Sequence, residues 1–252
     1  MESRVVLLTG ATGKLGRQLT AHLLDQGHRV IATGRSQESL TALQQFAGKT
    51  DNLVLLQADF LAEETLTGFL ERLLQLSVPP DVLINNARSV DTLKINEDGT
   101  VARQNFLNEF LMDVVIPYEL TMGLHQLMPS QLRSVVNIGS IYGVVAANPL
   151  LYVDPVHDSP IQYSVAKAAL AHLTRELAVR LAPQDIQVNC VAYGGVEGRV
   201  DNRFKAQYAR LCPQGRMLDE RDIVGPIDFL LSASSTAMTG QVLVVDGGWS
   251  VW

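Results

Sequence analysis

Thr9-Gly10-Ala11-Thr12-Gly13-Lys14-Leu15-Gly16 is a glycine-rich turn between an apolar run of strand length and a helical pattern. Glycine at 10 permits a tight turn, Gly13 lets the backbone approach a phosphate closely, and Gly16 lets the helix pack against the strand. The free amides at the N-terminus of that helix would then face a pyrophosphate. The turn therefore predicts a dinucleotide site built from Gly10, Thr12, Gly13, Lys14, Leu15 and Gly16.

Outward from this turn, apolar runs of strand length alternate with helical patterns along the chain. Strands are predicted over residues 4–9, 29–33, 53–58, 81–85, 134–138, 187–192 and 241–245. Helices are predicted over 15–26, 37–46, 63–76, 101–128, 161–181 and 223–231, with a short one over 204–211. This alternation predicts an α/β fold of the Rossmann type, a doubly wound parallel sheet of about seven strands with helices on both faces. Right-handed crossovers put the carboxyl ends of the strands on one edge, where we expect the ligand.

The composition is that of an ordinary globular protein. The 252 residues are 47% hydrophobic and 18% charged, and the formal net charge is −6. Without a basic block, nucleic acid is not expected as a partner. Two cysteines, Cys190 and Cys212, form neither a disulfide framework nor a metal site. No membrane-spanning stretch or signal peptide is apparent, and no linker or repeat divides the chain. We therefore expect a single cytoplasmic domain over residues 1–252 without a bound metal.

Tyr163-Ser-Val-Ala-Lys167 lies inside the helix predicted over 161–181. Side chains four residues apart share one face of a helix, so Tyr163 and Lys167 are expected to lie side by side. A fixed ammonium beside a phenol favours the phenolate, which suits a group that donates and accepts protons near neutral pH. The alternative is an ordinary amphipathic helix that carries one tyrosine and one lysine.

The end of the second strand bears on the choice of cofactor. An acidic residue there would accept from the ribose 2′-hydroxyl and select NAD. This chain has Ala32-Thr33-Gly34-Arg35 instead. The planar guanidinium of Arg35 can pair with a 2′-phosphate, and Lys14 could add a second cation. These charges predict NADPH as the preferred cofactor, unless both are ordinary solvated surface charges.

Taken in order, these motifs resemble those of the short-chain dehydrogenase/reductase family over nearly the whole chain. The matching pieces are the glycine turn, Asp59, Asn85-Asn86-Ala87, Ser140, Tyr163-Ser-Val-Ala-Lys167 and the segment over 239–248. The resemblance implies that Asp59 contacts the adenine, that Asn86 and Ala87 lie at the cofactor, and that Asn85 braces the central strand. It also implies a homodimer or homotetramer built on the two long helices.

The same resemblance implies roles for the catalytic residues. Ser140 would hold the substrate oxygen, Tyr163 would pass the proton, and Lys167 would bind the nicotinamide ribose and tune the tyrosine. Ser140 could instead be a helix cap, and Asn85 a turn former. The expected position of all these residues at one edge of the sheet favours the catalytic interpretation.

The chain departs from the family pattern at four places. Its glycine turn, with Lys14, is typical of the family's longer branch that modifies nucleotide sugars, whereas the length is that of the shorter branch. Arg88 stands where the family usually has a glycine after Asn-Asn-Ala, and Tyr193-Gly194-Gly195 stands where it usually has Pro-Gly after the sixth strand. The spacing to Pro117-Tyr118 puts Asp113 where the family has an active-site asparagine. We therefore expect Asp113 at the active site, near Lys167, either as a carboxylate or as a buried neutral acid; otherwise the alignment is shifted and Asp113 faces solvent.

The segment over 143–160 is longer than the family commonly has between its serine and tyrosine. Its hydrogen-bonding groups, Asn148, Tyr152, Asp154, His157, Asp158 and Ser159, favour a hydroxyl-rich, sugar-like substrate over a fatty acyl chain. Residues 140–145 and 194–197 resemble those of family members associated with bacterial surface-sugar and flagellin-glycan synthesis. A solvated insertion is the alternative.

The expected function is an NADPH-preferring oxidoreductase that interconverts a carbonyl and a secondary alcohol on a small-molecule substrate. The glycine pattern leaves a sugar-nucleotide epimerase or dehydratase as one alternative, although the chain has no length left for the additional substrate domain of such enzymes. Arg88 and Asp113 suggest the other, a non-catalytic protein that senses NADPH. A sensor would be expected to lose Tyr163 or Lys167, and both are present.

Overall fold

The computed structural model describes residues 2–48, 51–62, 65–198 and 200–252. Within these residues seven parallel strands form one sheet in the order β3-β2-β1-β4-β5-β6-β7. The strands are β1 Val5–Leu8, β2 Arg29–Gly34, β3 Leu53–Gln57, β4 Val82–Asn85, β5 Ser134–Ser140, β6 Gln187–Tyr193 and β7 Val242–Val245. The predicted doubly wound parallel sheet is confirmed.

Helices cover both faces of this sheet. They are α1 Lys14–Asp25, α2 Gln37–Ala47, α3 Thr65–Leu74, α4 Arg103–Phe110, α5 Ile116–Leu127, α6 Pro155–Asp158, α7 Ile161–Leu181, α8 Asn202–Leu211 and α9 Val224–Leu231. The start predicted for α3, at Glu63, lies outside the described residues. In the described part of the chain no helix is long and apolar enough to cross a membrane.

The five inner strands, β1, β2, β4, β5 and β6, are buried on both faces because their alternate side chains enter two different cores. In β4, Leu83 joins the cluster that contains Leu120 of α5 and Leu177 of α7. Its neighbours on either side in the strand join the opposite cluster, with side chains of α1 and α9. Two-sided burial explains why these strands are continuous apolar runs in the sequence.

The long helix predicted over 101–128 is interrupted. A π-helical turn over Leu111–Val115 separates α4 from α5. Pro117 has no N–H to donate to the carbonyl of Asp113, so the regular α-helical bonding cannot continue there. Instead, the N–H of Ile116 donates to the carbonyl of Leu111, five residues back. Such turns are frequent at functional sites, and this one carries Asp113.

The segment over 143–160, predicted as a loop, contains short helical pieces. A 3₁₀ turn covers Pro149–Leu151, and α6 covers Pro155–Asp158. Side chains cap both pieces: Asn148 accepts from the N–H of Leu150, and Asp154 accepts from two N–H groups of α6. A proline at the first position of each piece favours the helical conformation.

Candidate active site

A cleft of about 460 Å³ opens at the carboxyl ends of the strands. Among its lining residues are Gly10, Thr12, Gly13, Lys14, Leu15, Gly16, Arg35, Asn86, Ser140, Tyr163 and Lys167. Asp59 and Ala87 line a smaller adjoining pocket, also bordered by Arg35. Asp113 lines neither and lies behind the cleft, in contact with Lys167. The edge of the sheet predicted for the ligand therefore carries nearly all of the predicted site residues.

The glycine turn is packed as closely as the sequence pattern predicts. Gly10 has a φ of +61°, and a Cβ on it would stand 2.6 Å from the Cα of Ala87. A Cβ on Gly16 would stand 2.2 Å from the carbonyl oxygen of Gly10. Because no side chain fits at either position, the backbone amides at the start of α1 remain at the cleft wall. This arrangement fits a bound diphosphate.

Asn86 fixes the position of that turn. Its amide nitrogen donates to the carbonyls of Thr9 and Gly10, at 2.9 and 3.0 Å. In return, the Thr9 hydroxyl accepts from the backbone N–H groups of Asn86 and Ala87. The end of β4 and the glycine turn therefore form one hydrogen-bonded unit.

A buried chain of polar side chains joins the central strands to α7. Asn85 donates to Asn137 at 2.8 Å, and Asn137 donates to the Thr174 hydroxyl at 2.9 Å. Asn85 thus braces the centre of the sheet, as the family resemblance implies. The sequence analysis did not single out Asn137 or Thr174, although an asparagine within the apolar run over 134–140 is a sign of a buried hydrogen-bond partner.

Ser140, Tyr163 and Lys167 converge at the centre of the cleft. Ser140 is the last residue of β5 and is paired with Tyr193, the last residue of β6. Its hydroxyl oxygen accepts from the N–H of Tyr142 at 3.2 Å, so Ser140 also caps the turn that follows β5. The Lys167 ammonium lies 5.7 Å from the centre of the Tyr163 ring. The structure therefore brings together the three side chains that the sequence analysis assigned to catalysis.

The Lys167 ammonium is buried and hydrogen-bonded inside the protein. It donates to Asp113 Oδ1 at 2.9 Å and to the carbonyl of Ile138 at 3.0 Å. Burial alone would lower the pKa of Lys167, but the Asp113 carboxylate and the Tyr163 phenol outweigh it, and the net shift of the pKa is upward. Lys167 therefore stays positively charged at neutral pH. Asp113 does not face solvent, since only 2% of its surface is exposed.

Glu109, one helical turn before Asp113, is a second buried acid that the sequence analysis missed. Its carboxyl accepts a hydrogen bond from the Thr92 hydroxyl. Burial raises the pKa of Glu109 above its ordinary value, and the Asp113 carboxylate adds to that shift. The second oxygens of both acids, Glu109 Oε1 and Asp113 Oδ2, are buried without a protein partner among the described residues.

Arg35 and Lys14 do not come together. The Arg35 guanidinium lies at the end of β2, 3.5 Å from Asp91. The Lys14 ammonium donates to the carbonyl of Val196 at 3.2 Å, in the segment after β6. Because β6 lies four strands from β2 in the sheet, this direction takes the ammonium away from Arg35. The expected pair of cations is therefore reduced to Arg35 at that end of the cleft.

The far end of the cleft is bounded mainly by aromatic and apolar side chains. They are Ile141, Tyr142, Leu151, Tyr152, Val200, Phe204, Tyr208 and Met217. The hydroxyls of Tyr142 and Tyr152 lie 2.6 Å apart and form a hydrogen bond. Tyr208 stacks on Trp249 and accepts a hydrogen bond from the N–H of Gly195.

Of the hydrogen-bonding residues in the segment over 143–160, which was expected to face the substrate, Tyr152 lines the cleft. Asn148 and Asp154 cap local helical pieces, Asp158 accepts from the N–H of Asp154, and His157 pairs with Asp154 at 2.7 Å. These four side chains do not line the cleft. Local capping competes for such groups, and the sequence alone did not separate the two uses.

Comparisons with known proteins agree with this geometry. The sequence pattern of the family described as Enoyl-(Acyl carrier protein) reductase matches residues 10–250. A post-translational flagellin modification protein A of Campylobacter coli is 28% identical over 257 residues, covering 100% of both chains. A 3-oxoacyl-[acyl-carrier-protein] reductase of Thermotoga maritima is 30% identical over 98% of each chain.

The fold also matches solved structures of short-chain dehydrogenases. A short chain dehydrogenase from Leptospira borgpetersenii with bound NAD+ superposes with a TM-score of 0.86 at 30% identity, covering 99% of this chain and 94% of that one. The match extends over the sheet, the glycine turn and the helix that carries Tyr163 and Lys167. The chain therefore belongs to the short-chain dehydrogenase/reductase family of NAD(P)-dependent oxidoreductases.

Proposed function

We propose that this protein is an NADPH-preferring oxidoreductase that interconverts a carbonyl and a secondary alcohol. The cofactor site and the substrate site are proposed to lie in the same domain. The observation that carries the proposal is the convergence of Ser140, Tyr163 and Lys167 beside the glycine turn, at the wall of one cleft. The cofactor supplies and accepts the hydride.

Tyr163 is proposed as the proton donor and acceptor. In the reducing direction, its hydroxyl gives a proton to the substrate oxygen as hydride reaches the carbonyl carbon. The Ser140 hydroxyl holds that oxygen, and the Lys167 ammonium stabilises the phenolate left on Tyr163. Asp113 holds Lys167 in place through the 2.9 Å hydrogen bond. Asp113 is thus a positioning residue in this proposal.

The proposed preference for NADPH depends on Arg35. Its guanidinium follows β2 and borders both the cleft and the adjoining pocket, where Asp59 is proposed to meet the adenine. The last residues of β2 carry no carboxylate to accept from a ribose 2′-hydroxyl. A 2′-phosphate would therefore meet a cation rather than an anion.

The aromatic and apolar lining favours a small carbonyl compound with an apolar portion. A sugar-derived compound is the second candidate, favoured by the paired hydroxyls of Tyr142 and Tyr152 and by the identity with the flagellin modification protein. Tyr152→Phe separates the two: it should weaken binding of a hydroxyl-rich substrate and leave a purely apolar ketone nearly unaffected.

We also propose a homodimer or homotetramer in the cytoplasm. Apolar side chains stand exposed on the long helices: Leu107 of α4, and Val165 and Val179 of α7. Such side chains are available for a contact between subunits. Both described cysteines are free, which suits a reducing compartment. Sedimentation velocity would measure the assembly.

The proposed activity is tested with purified protein, NADPH or NADP, and a panel of ketones, aldehydes, sugars and polyols. We expect cofactor-dependent reduction or oxidation of at least one of these substrate classes, with a lower KM for NADPH than for NADH. Tight binding of NADPH without turnover of any class would favour the sensor alternative. Loss of water or inversion of a sugar centre without net change in the cofactor would favour the epimerase or dehydratase alternative.

A further inference from the structure

Arg88 stands at the cleft wall beside the proposed proton donor. It directly follows Asn85-Asn86-Ala87, and its side chain is exposed. The central carbon of its guanidinium lies 4.5 Å from the centre of the Tyr163 ring. Arg88 also borders both the main cleft and the adjoining pocket. A large cationic side chain therefore stands where the family pattern has a glycine.

The charge of Arg88 is not balanced by the acids around it. Asp113 is hydrogen-bonded to Lys167, which takes up its negative charge. Glu109 is near enough to sense Arg88, but its carboxyl is buried and accepts from the Thr92 hydroxyl rather than from Arg88. In the described part of the chain no carboxylate forms an ion pair with Arg88, whereas Arg35, the other arginine of the cleft, lies beside Asp91. The Arg88 guanidinium therefore lies on the Tyr163 ring without an anionic partner among the described residues.

We propose that Arg88 recognises a carboxylate on the substrate, so that the enzyme acts on a short oxo acid and the corresponding hydroxy acid. This inference rests on the proposed function. The planar fork of a guanidinium matches a carboxylate through two parallel hydrogen bonds. A carbonyl held by the Tyr163 hydroxyl is only a few bond lengths from the ring over which Arg88 lies. The carboxylate must therefore be within a few bonds of the reacting carbon.

The reaction itself is unchanged by this assignment. The carbonyl carbon of the oxo acid accepts hydride from the reduced cofactor, and its oxygen accepts the proton of Tyr163. The product is a hydroxy acid, and its carboxylate stays bound to Arg88 throughout. An anion fixed at one end of the substrate also orients the carbonyl towards Ser140 and Tyr163.

The test compares acids with their methyl esters. Phenylglyoxylate, 2-oxobutanoate, 3-oxobutanoate and 4-oxopentanoate, each with its ester, are reduced with NADPH by the unmodified enzyme and by Arg88→Gln. Arg180→Gln, an equal change of charge on an exposed side chain at the end of α7, is the control. The unmodified enzyme and the control should prefer at least one acid over its ester. Arg88→Gln should lose about 10- to 100-fold in kcat/KM for that acid, chiefly through KM, and far less for the ester.

Each other outcome overturns the assignment. Equal reduction of every acid and its ester by the unmodified enzyme means that no carboxylate is recognised. Equal losses on acid and ester in Arg88→Gln, with weaker NADPH binding, mean that Arg88 serves the cofactor. If neutral ketones or sugars are reduced and no acid is, the inference fails while the proposed function stands. If NADPH binds and nothing is reduced, both the inference and the proposed function fail.

A second measurement gives a readout without turnover. Calorimetry measures the binding of benzoate and of benzamide to the complex of the enzyme with NADP. Arg88→Gln should weaken the binding of benzoate and leave the binding of benzamide unchanged.

Discussion

Lys167 Nζ lies 2.9 Å from Asp113 Oδ1, and both side chains are buried. The contact joins α7 to the π-helical turn between α4 and α5. It gives the Lys167 ammonium a fixed partner inside the protein. Asp113 lines neither the cleft nor the adjoining pocket, so this carboxylate holds Lys167 from behind the cleft.

Removing the charge of Asp113 should destabilise the fold. In Asp113→Asn the buried ammonium loses its ionic partner, which costs about 3–5 kcal/mol in the free energy of unfolding at neutral pH. Urea unfolding measures the difference. Asp185→Asn, at an exposed position with a φ of +56° that asparagine tolerates, is the control. If Asp113→Asn is as stable as this control at neutral pH, the buried pair contributes no net stability.

The same variant should show a specific dependence on pH. Asp113 and Tyr163 raise the pKa of Lys167 in the folded protein against the effect of burial. The stabilisation is therefore fully present below the unfolded pKa of 10.5 and is lost as pH rises through the raised folded value. In Asp113→Asn burial dominates instead, so the deficit should be largest near neutrality and shrink towards about pH 10, where the unfolded lysine also loses its proton. A deficit independent of pH would contradict this account.

Asp113→Asn should also change the rate–pH profile. Below the lowered pKa of Lys167 in this variant, the ammonium acts on Tyr163 without an opposing carboxylate and favours the phenolate, so the acidic limb of the oxidation profile should move to lower pH while turnover is kept. The measurement is rate against pH at saturating cofactor for both proteins. An unchanged profile near neutrality would indicate that Asp113 is protonated and imitates an asparagine. A large loss of turnover with the fold intact would make the carboxylate itself a catalytic group.

Arg35 and Lys14 should have different effects on the two cofactors. Arg35→Ala should weaken NADPH binding by about 1–3 kcal/mol, the contribution of a charged hydrogen bond, and leave NADH nearly unchanged. Lys14→Ala removes a contact to the carbonyl of Val196, across the cleft from Arg35, and should affect both cofactors alike. Titration of each variant with NADPH and NADH measures both effects. Equal losses for the two cofactors in Arg35→Ala would show that it does not bind the 2′-phosphate.

The sequence was informative where one physical constraint acts locally. Each of the seven strands ends within two residues of its predicted limit. For the inner strands the reason is burial on both faces, which requires a continuous apolar run. The glycine turn was equally clear, since Gly10 and Gly16 occupy positions where no side chain fits. The helix over Ile161–Leu181 and the common face of Tyr163 and Lys167 followed from helical periodicity.

Features that depend on side-chain direction could not be predicted in the same way. The Lys14 stem can reach either side of the turn, and only the packing after β6 shows that it meets Val196. The hydrogen-bonding residues of the segment over 143–160 suit either a substrate or a helix cap, and two of them, Asn148 and Asp154, are caps. Arg88 stacks on Tyr163, which lies 75 positions later in the sequence. No sequence periodicity relates residues so far apart, so this contact could not be predicted.

The central claim is that the Tyr163 hydroxyl transfers the proton. The most direct measurement is single-turnover oxidation of enzyme-bound NADPH, followed by its absorbance, in Tyr163→Phe. This variant keeps the ring and its contact with Arg88 and removes only the hydroxyl. Tyr118→Phe, at an exposed position of α5, is the matched control. We predict that Tyr163→Phe binds NADPH normally and that its rate of hydride transfer falls by roughly 10²–10⁴-fold, while the control is unchanged. A rate in Tyr163→Phe close to that of the control would contradict the account and assign the proton to another group.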